Sequence, residues 1–250
     1  MQRLIILHHI PDWNDLPNIE RWFYRYHIPD VLRTKPWMSR YVMFRSTPPP
    51  SGAEAFGYYN YKVHENWSFD DEDMIRLTAM TPEVAPLKAI MVKTGAKPTE
   101  DFLGSDLIMF DQTILRWLII FKYPEGVSLE EGDHWYLNTH VPEALQQPGL
   151  IRFFSYKVIP LKLVAAVGKR SFLHPQSEIS ANYHRVTEMW YTNSNGWVDS
   201  VIKNPPKYTR PDWANYNQYP FLKPWKDFHS TCILERPTED YLKDVRPFYI

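Results

Sequence analysis

One pattern occurs twice in this chain, and it limits the folds open to it more than any other feature. Trp22 stands five residues before His27, and Pro29 follows that histidine by two; Trp135, His140 and Pro142 repeat the spacing 113 positions later. Two further pairs follow in the same order. Lys62-Val-His-Glu-Asn-Trp67 is answered by Arg185-Val-Thr-Glu-Met-Trp190 at an offset of 123, and Lys97-Pro-Thr-Glu-Asp-Phe-Leu103 by Arg236-Pro-Thr-Glu-Asp-Tyr-Leu242 at an offset of 139. Chance yields one such match; three in order mark an internal repeat. The growing offset places two insertions in the second copy, at about 159–180 and 205–225, so the chain divides into copies at 1–108 and 109–250.

Each copy spells βαββαβ. In the first, Leu4 to Leu7 is a short apolar run ended by Pro11, and Asn14 and Asp15 can cap a helix from Ile19 to about Ile28, which Pro29 is expected to end or kink. Tyr41 to Phe44, Gly57 to Trp67 and Ala89 to Lys93 read as strands, with a helix over Asp70 to Met80. In the second, Ile114 to Tyr123, Phe153 to Val158, Ala181 to Trp190 and Ser230 to Leu234 are the strands. Ser128 with Glu131 is a capping-box spelling before one helix, and Trp197 to Lys203 is the other. A βαββαβ unit is a ferredoxin-like antiparallel sheet with both helices on one face. The bare face needs cover, and two copies can supply it to each other by closing into one α+β barrel within the chain.

Composition narrows the partners. A net charge of −1 carries no footprint for nucleic acid or an anionic membrane, and no apolar run approaches the roughly 20 residues of a membrane helix. The single Cys232 has no internal partner, which fits a reducing, cytoplasmic setting. Aromatic residues at 16% suggest a thick core or a cavity with flat apolar walls. No phosphate loop, dinucleotide fingerprint or G-x-S-x-G elbow occurs, and the nine histidines lack zinc-ligand spacing, so no metal and no organic cofactor is expected.

Trp135, His140, Pro142, Pro148-Gly149-Leu150-Ile151-Arg152-Phe153 and Glu188-Met189-Trp190-Tyr191 resemble the EthD-like branch of the dimeric α+β barrel superfamily. The first copy keeps Trp22, His27, Pro29, Arg40, Tyr41, Glu65 and Trp67, and has Lys35-Pro36-Trp37-Met38 in place of the Pro-Gly-Leu turn. The resemblance implies a cleft between sheet and helices, lined by apolar side chains with few polar groups. It also implies a range of activities, from muconolactone-type isomerases, polyketide cyclases and dehalogenases to cofactor-free monooxygenases and haem-binding branches; fold analogy does not choose among them.

Several residues are candidates for chemistry, each with a structural alternative. His27 and His140 suit general acid–base work near neutrality, or a helix-end role against the last carbonyls. Alternation puts Tyr61, Val63, Glu65 and Trp67 on one face of a strand and His184, Val186, Glu188 and Trp190 on the matching one. A carboxylate there is a raised-pKa base or half of a buried pair. Because His184 stands in the second copy where the first has Tyr61, the expected site is the second copy, with His140, His184 and Glu188 catalytic and His27 a further candidate. Arg152 would meet a carboxylate or enolate, or else a helix carboxylate. Trp135, Tyr136 and Trp190 would wall the substrate, and Trp213, Tyr216 and Tyr219, from an insertion without a counterpart, would form a lid or a homodimer contact. The expected function is a cofactor-independent lyase or isomerase acting on a small apolar aromatic or ketonic metabolite through His/Glu proton transfer. The alternatives are a cofactor-free monooxygenase, a haem-binding barrel and a non-catalytic ligand carrier.

Overall fold

The computed structural model describes residues 1–34, 38–69, 86–103, 114–161 and 174–243. The first half contributes strands β1 (Gln2–His9), β2 (Met38–Arg45), β3 (Tyr61–Ser68) and β4 (Ala89–Gly95), with helix α1 (16–34) between β1 and β2. The second contributes β6 (Leu115–Phe121), β7 (Leu150–Ile159), β9 (Arg185–Tyr191) and β10 (Phe228–Leu234), with α2 (129–144) between β6 and β7 and α3 (194–203) after β9. Short strands β5 (Glu100–Asp101), β8 (Glu178–Ile179) and β11 (Glu239–Asp240) complete the sheet. Its order is β10-β6-β9-β7-β4-β1-β3-β2-β11, so each half shows the ferredoxin-like arrangement last-first-third-second. The halves join where β4 meets β7 through Lys93 and Thr94, and the opposite edges meet at Ser46 and Ile233, where the Thr47 amide donates to the Cys232 carbonyl at 2.7 Å. The outcome is an α+β barrel made by one chain, as the repeat implied. The expected boundary at 108 and the expected helix over 70–80 lie outside the described residues.

Register shows how closely the halves correspond. Arg40 faces Trp67 and Arg152 faces Trp190, each just after a bulge in the same place. The tails cross over: β5 pairs with β7 of the second half, and β11 pairs with β2 of the first, at matching register positions. Each half therefore finishes the other's sheet, which ties the halves together by backbone hydrogen bonds as well as by apolar burial.

The barrel interior is filled from both halves by alternate strand residues, among them Ile5, Leu7, Val42, Val63, Val92, Leu118, Ile120 and Val186, all buried. At one level of this interior sit four charges. Arg3 Nη2 lies 2.6 Å from Glu188 Oε1, and Arg116 Nη2 donates to Glu65 Oε1 at 2.5 Å, so each arginine pairs with the other half's glutamate. The longer contacts, Arg3 to Glu65 at 3.9 Å and Arg116 to Glu188 at 3.6 Å, close the ring. Arg3 also stacks over Tyr156, and Arg116 over Phe44, at 4.4 and 4.6 Å from the ring centres. All four side chains are nearly inaccessible, and the cluster is neutral as a whole.

Three local expectations are corrected. Pro29 does not end its helix: α1 runs as Leu16–Trp22, a π turn Phe23–His27 and a last segment Ile28–Thr34, with the Ile28 amide donating to the Phe23 carbonyl five residues back. The second half repeats this in α2, with Leu129–Trp135, a π turn Tyr136–His140 and Val141–Ala144 around Pro142. A proline ring crowds the carbonyl four residues earlier, and a widened turn gives it room. The third strand starts at Tyr61, because Gly57 takes a left-handed conformation (φ 59°) against the Phe228 carbonyl, where a Cβ would sit 2.6 Å from that oxygen. Likewise Ser180–Asn182 forms a 3-10 turn, so β9 starts at Arg185. The capping spelling at Ser128 does form, with its hydroxyl accepting from the Glu131 amide at 3.1 Å. α3 (Ser194–Trp197, then the π segment Val198–Lys203) is capped by Asn193, which accepts from the Gly196 amide at 3.0 Å.

Candidate active site

The helix of each half packs on its sheet over buried histidines; this layer is called the cleft of that half, it holds a cavity in the second half, and the two layers differ in chemistry. In the first, alternation turns His8 of β1, His64 of β3 and Tyr41 of β2 toward α1, which supplies Trp22, Phe23 and His27. The rings of His8 and His64 lie 5.1 Å apart and nearly perpendicular, and both abut Phe23, at 4.9 and 4.8 Å. His27 stacks on Trp22 at 4.7 Å and meets the Phe23 edge at 5.6 Å. Tyr241, from the second half's tail, packs on Tyr41 at 4.8 Å and on His64 at 6.4 Å. Lys62, directly opposite His8 in the ladder, is buried, with its Nζ 2.9 Å from Glu20 and 4.5 Å from the Phe23 ring.

Burial sets the proton affinities here. It pushes His8 well below 6.5, helped by the neighbouring His27 and Lys62, and His64 likewise, helped by the neighbouring His8, His27 and Lys62. Both imidazoles are therefore neutral at neutral pH. Both ring nitrogens of His8 and of His64, and the Tyr41 hydroxyl, have no hydrogen-bond partner among the described residues. A buried polar atom left without a partner costs about 1–3 kcal/mol.

In the second cleft the equivalent positions are apolar or neutral. Phe121 stands where the first half has His8, Thr187 for His64, Tyr136 for Phe23 and Phe153 for Tyr41. His140 remains, buried and ringed by Trp135, Tyr136, Tyr219 and Tyr208 at 5.3, 5.4, 5.6 and 6.0 Å. Burial lowers its pKa to about 4. It lines a cavity of about 30 Å³ with Trp117, Phe121, Met189 and Phe228 of the sheet and Tyr219 and Leu222 of the insertion. That is room for a water or two, not for an aromatic ring. Tyr136 and Thr187 share a hydrogen bond of 2.8 Å at its wall.

His140, His184 and Glu188 do not converge. Glu188 points into the barrel interior with Arg3 and Arg116, because strand alternation puts it on the face opposite Thr187 and Met189. His184 stacks on Tyr123 at 5.2 Å and its Nδ1 accepts the Tyr123 amide at 2.9 Å, away from the cavity. Trp190 sits beside Glu188, and Arg152 lies over the Trp190 ring at 4.8 Å. Of the insertion, Tyr219 reaches the cavity with Trp135 and Tyr136 of α2. Trp213 packs behind, edge-on to Trp135 at 5.3 Å, and Tyr216 bonds Gln218 at 3.3 Å. His27 lies in the first cleft. Sequence reasoning left His8 and His64 aside; alternation alone put His64 on the face opposite Glu65, and the contact of both rings with Phe23 shows that this face meets the helix. Among the described residues no group of His, Cys, Asp or Glu is arranged to hold a metal ion, and no helix is long and apolar enough to cross a membrane.

Fold and clefts together define a barrel of two ferredoxin-like halves with a histidine-bearing cleft in each. Residues 1–95, the strands and helix of the first cleft, match the chalcone isomerase N-terminal domain family model. Among solved structures the chain is similar to an anthrone oxidase-like protein, at 7% identity and a TM-score of 0.51, covering 96% of this chain and 92% of that one. A candidate monooxygenase from Lactobacillus acidophilus NCFM is a looser likeness, at 10% identity and a TM-score of 0.37, with 93% of each chain covered. The first of these likenesses supports the α+β barrel fold. No curated protein matches the chain.

Proposed function

We propose that the chain is an isomerase-type enzyme, working without a bound organic cofactor, that relocates a proton beside the carbonyl of a small, largely apolar phenolic or ketonic compound in the first cleft. The observation that carries this reading is the set of buried, unpartnered polar groups gathered there: His8, His64 and the Tyr41 hydroxyl against the rings of Trp22, Phe23 and Tyr241. Native interiors pair their polar groups, and a cluster of orphans facing one cleft is what a polar substrate would satisfy. The family model matching the first half carries the name of an isomerase, which favours aryl enones of chalcone type as the first compounds to test. The EthD-like kinship, resting on Trp135, His140, Pro142 and Glu188, belongs to the same proposal.

In this reading His64, neutral at neutral pH, takes the proton of the substrate's phenolic hydroxyl, the freed oxygen adds to the β-carbon as the C=C electrons move to the enolate, and the Tyr41 hydroxyl donates a hydrogen bond to the carbonyl oxygen as it gains negative charge. His27, at the helix side of the cleft, gives a proton to the α-carbon as the enolate collapses, and is itself restored by the proton that His64 releases to solvent. Protons removed and returned balance, so no redox partner enters. Trp22 and Phe23 hold the apolar body of the substrate and exclude water.

The test follows the ultraviolet absorbance of a hydroxylated aryl enone with His64→Gln. General acid–base catalysis is worth about 10²–10⁴-fold, so kcat is expected to fall by that factor with KM little changed and the circular dichroism spectrum intact. Turnover by the variant equal to that of the parent chain, or none by the parent on such enones and ketones, would sink the reading.

A further inference from the structure

The cleft of the second half is apolar and unused by the chemistry above. We infer that it is a separate binding pocket for a small neutral molecule of the phenol class, an apolar ring bearing one hydroxyl, whose place the Tyr219 side chain takes in the closed form.

The pocket has a built recognition point. His140 is 7% exposed, and its Nδ1 has no hydrogen-bond partner among the described residues. Burial keeps the ring neutral, so a nitrogen of this imidazole accepts a hydrogen bond from a neutral hydroxyl but offers no charge to an anion. Everything else around the cavity is suited to an apolar ring: Trp117, Phe121, Met189 and Phe228 on the sheet side, Trp135 and Tyr136 on the helix side. The Tyr136 and Thr187 hydroxyls satisfy each other, which leaves the His140 Nδ1 acceptor and the Trp117 Nε1 donor, neither with a hydrogen-bond partner among the described residues, open to an occupant's hydroxyl.

Tyr219 already models that occupant. Its own phenol ring lies nearly parallel to His140 at 28° and 5.6 Å, and stacks on Tyr208 at 3.7 Å. It comes from the insertion between Lys203 and Phe228, it is half-buried, and the backbone just beyond it is held at positive φ at Phe221 (66°) and Trp225 (60°). Non-glycine residues in that region store about 1–3 kcal/mol of strain, found where loops clamp ligands. With the ring in place the cavity is about 30 Å³, too small for a phenol; with the ring swung out, the vacated space is that of a phenol by construction.

The experiment is isothermal titration of the full chain with phenol and with benzene, read beside the His140 imidazole resonances in the NMR spectrum. The parent chain is expected to bind phenol with a shift of the His140 signals. Tyr219→Ala, which removes the competing ring, is expected to bind it at least about tenfold more tightly. One hydrogen bond is worth about 1–1.5 kcal/mol, so phenol should be preferred over benzene about five- to tenfold. Adding His140→Phe should abolish that preference while benzene still binds. Equal affinity for phenol and benzene in Tyr219→Ala, or parent chain that binds no phenol where Tyr219→Ala is saturated, overturns the inference and leaves the insertion a permanent plug. Phenol taken up by the first cleft leaves the His140 resonances and the effects of Tyr219→Ala and His140→Phe unchanged, while enone turnover and the His64 variant report on the first cleft, so the two readings fail separately.

Discussion

Replacing Arg3 by Met tests how the two halves are held in register. In the native chain Arg3 lies 2.6 Å from Glu188 and 3.9 Å from Glu65, with every member of the four-charge ring almost fully buried. Removing one cation leaves two carboxylates facing one guanidinium, Arg116, in a site that water does not reach. Breaking a buried pair by removing one partner costs about 3–5 kcal/mol, chiefly the desolvation of the charge left behind. For a chain of this size that corresponds to a fall in Tm of about 6–20 °C. The assay is urea unfolding followed by the fluorescence of the ten tryptophans. The double variant Arg3→Met/Glu188→Gln restores neutrality and should lose less than the single one, with a coupling of about 2 kcal/mol or more in the double-mutant cycle. Burial pushes the Glu65 pKa up, but Arg116 and Arg3 overcome it and hold the carboxyl below its usual 4.5. The stabilisation is thus complete above that pH and is lost as pH falls through the lower folded value. A single variant that loses under about 1 kcal/mol, or a double whose loss is the plain sum of the two singles, would refute the account.

Other outcomes follow from particular contacts. His140 has its pKa lowered from 6.5 to about 4, so the unfolded chain binds the extra proton in that window and stability falls as pH drops through it. At about 1.4 kcal/mol per unit this is on the order of 3 kcal/mol by pH 4, and His140→Phe should flatten that slope in urea titrations by about one proton. Gly132→Ala places a Cβ 2.3 Å from the Tyr123 ring; overpacking of this kind costs about 1–3 kcal/mol, read as a lower urea midpoint. Ser128→Ala removes the cap on the Glu131 amide and should cost about 1 kcal/mol by the same measurement. Arg185→Met removes the bidentate partner of Asp133, whose pKa burial raises but the Arg185 and Tyr123 hydrogen bonds bring below 3.8. The variant should lose the acid-limb stability that the parent chain sheds as pH falls below about 3.8, and a superimposable acid limb would count against that pairing.

Some of this was legible before any coordinates. The alternation along β3 separates His64 from Glu65, and the same alternation along β9 separates Thr187 from Glu188; the two faces were readable, but which one looked at a helix was not. Glu188 illustrates the consequence. As a carboxylate among apolar neighbours it fits a catalytic base and a buried pair equally well, and only the approach of Arg3 from the other half decides for the pair. Pro29 misled in the opposite way, because a propensity rule takes no account of a π turn that makes room for the ring. The insertion was visible as a surplus of aromatics, whereas its position, with Tyr219 laid on His140, depends on contacts across about 79 residues of chain.

Order, repetition and periodicity were enough to set the four main strands of each half, their shared markers and the need for each sheet to be covered by the other, since these follow from local hydrogen bonding and the period of apolar residues. Which histidines share a cleft, which charges neutralise each other and which cleft keeps unpaired polar groups were decided by tertiary structure alone. The physical reason is that desolvation and pairing depend on what lies opposite a side chain in space. Here the opposite element comes, at each of these points, from a distant part of the chain: Tyr241 against His64, Arg3 against Glu188 and Tyr219 against His140.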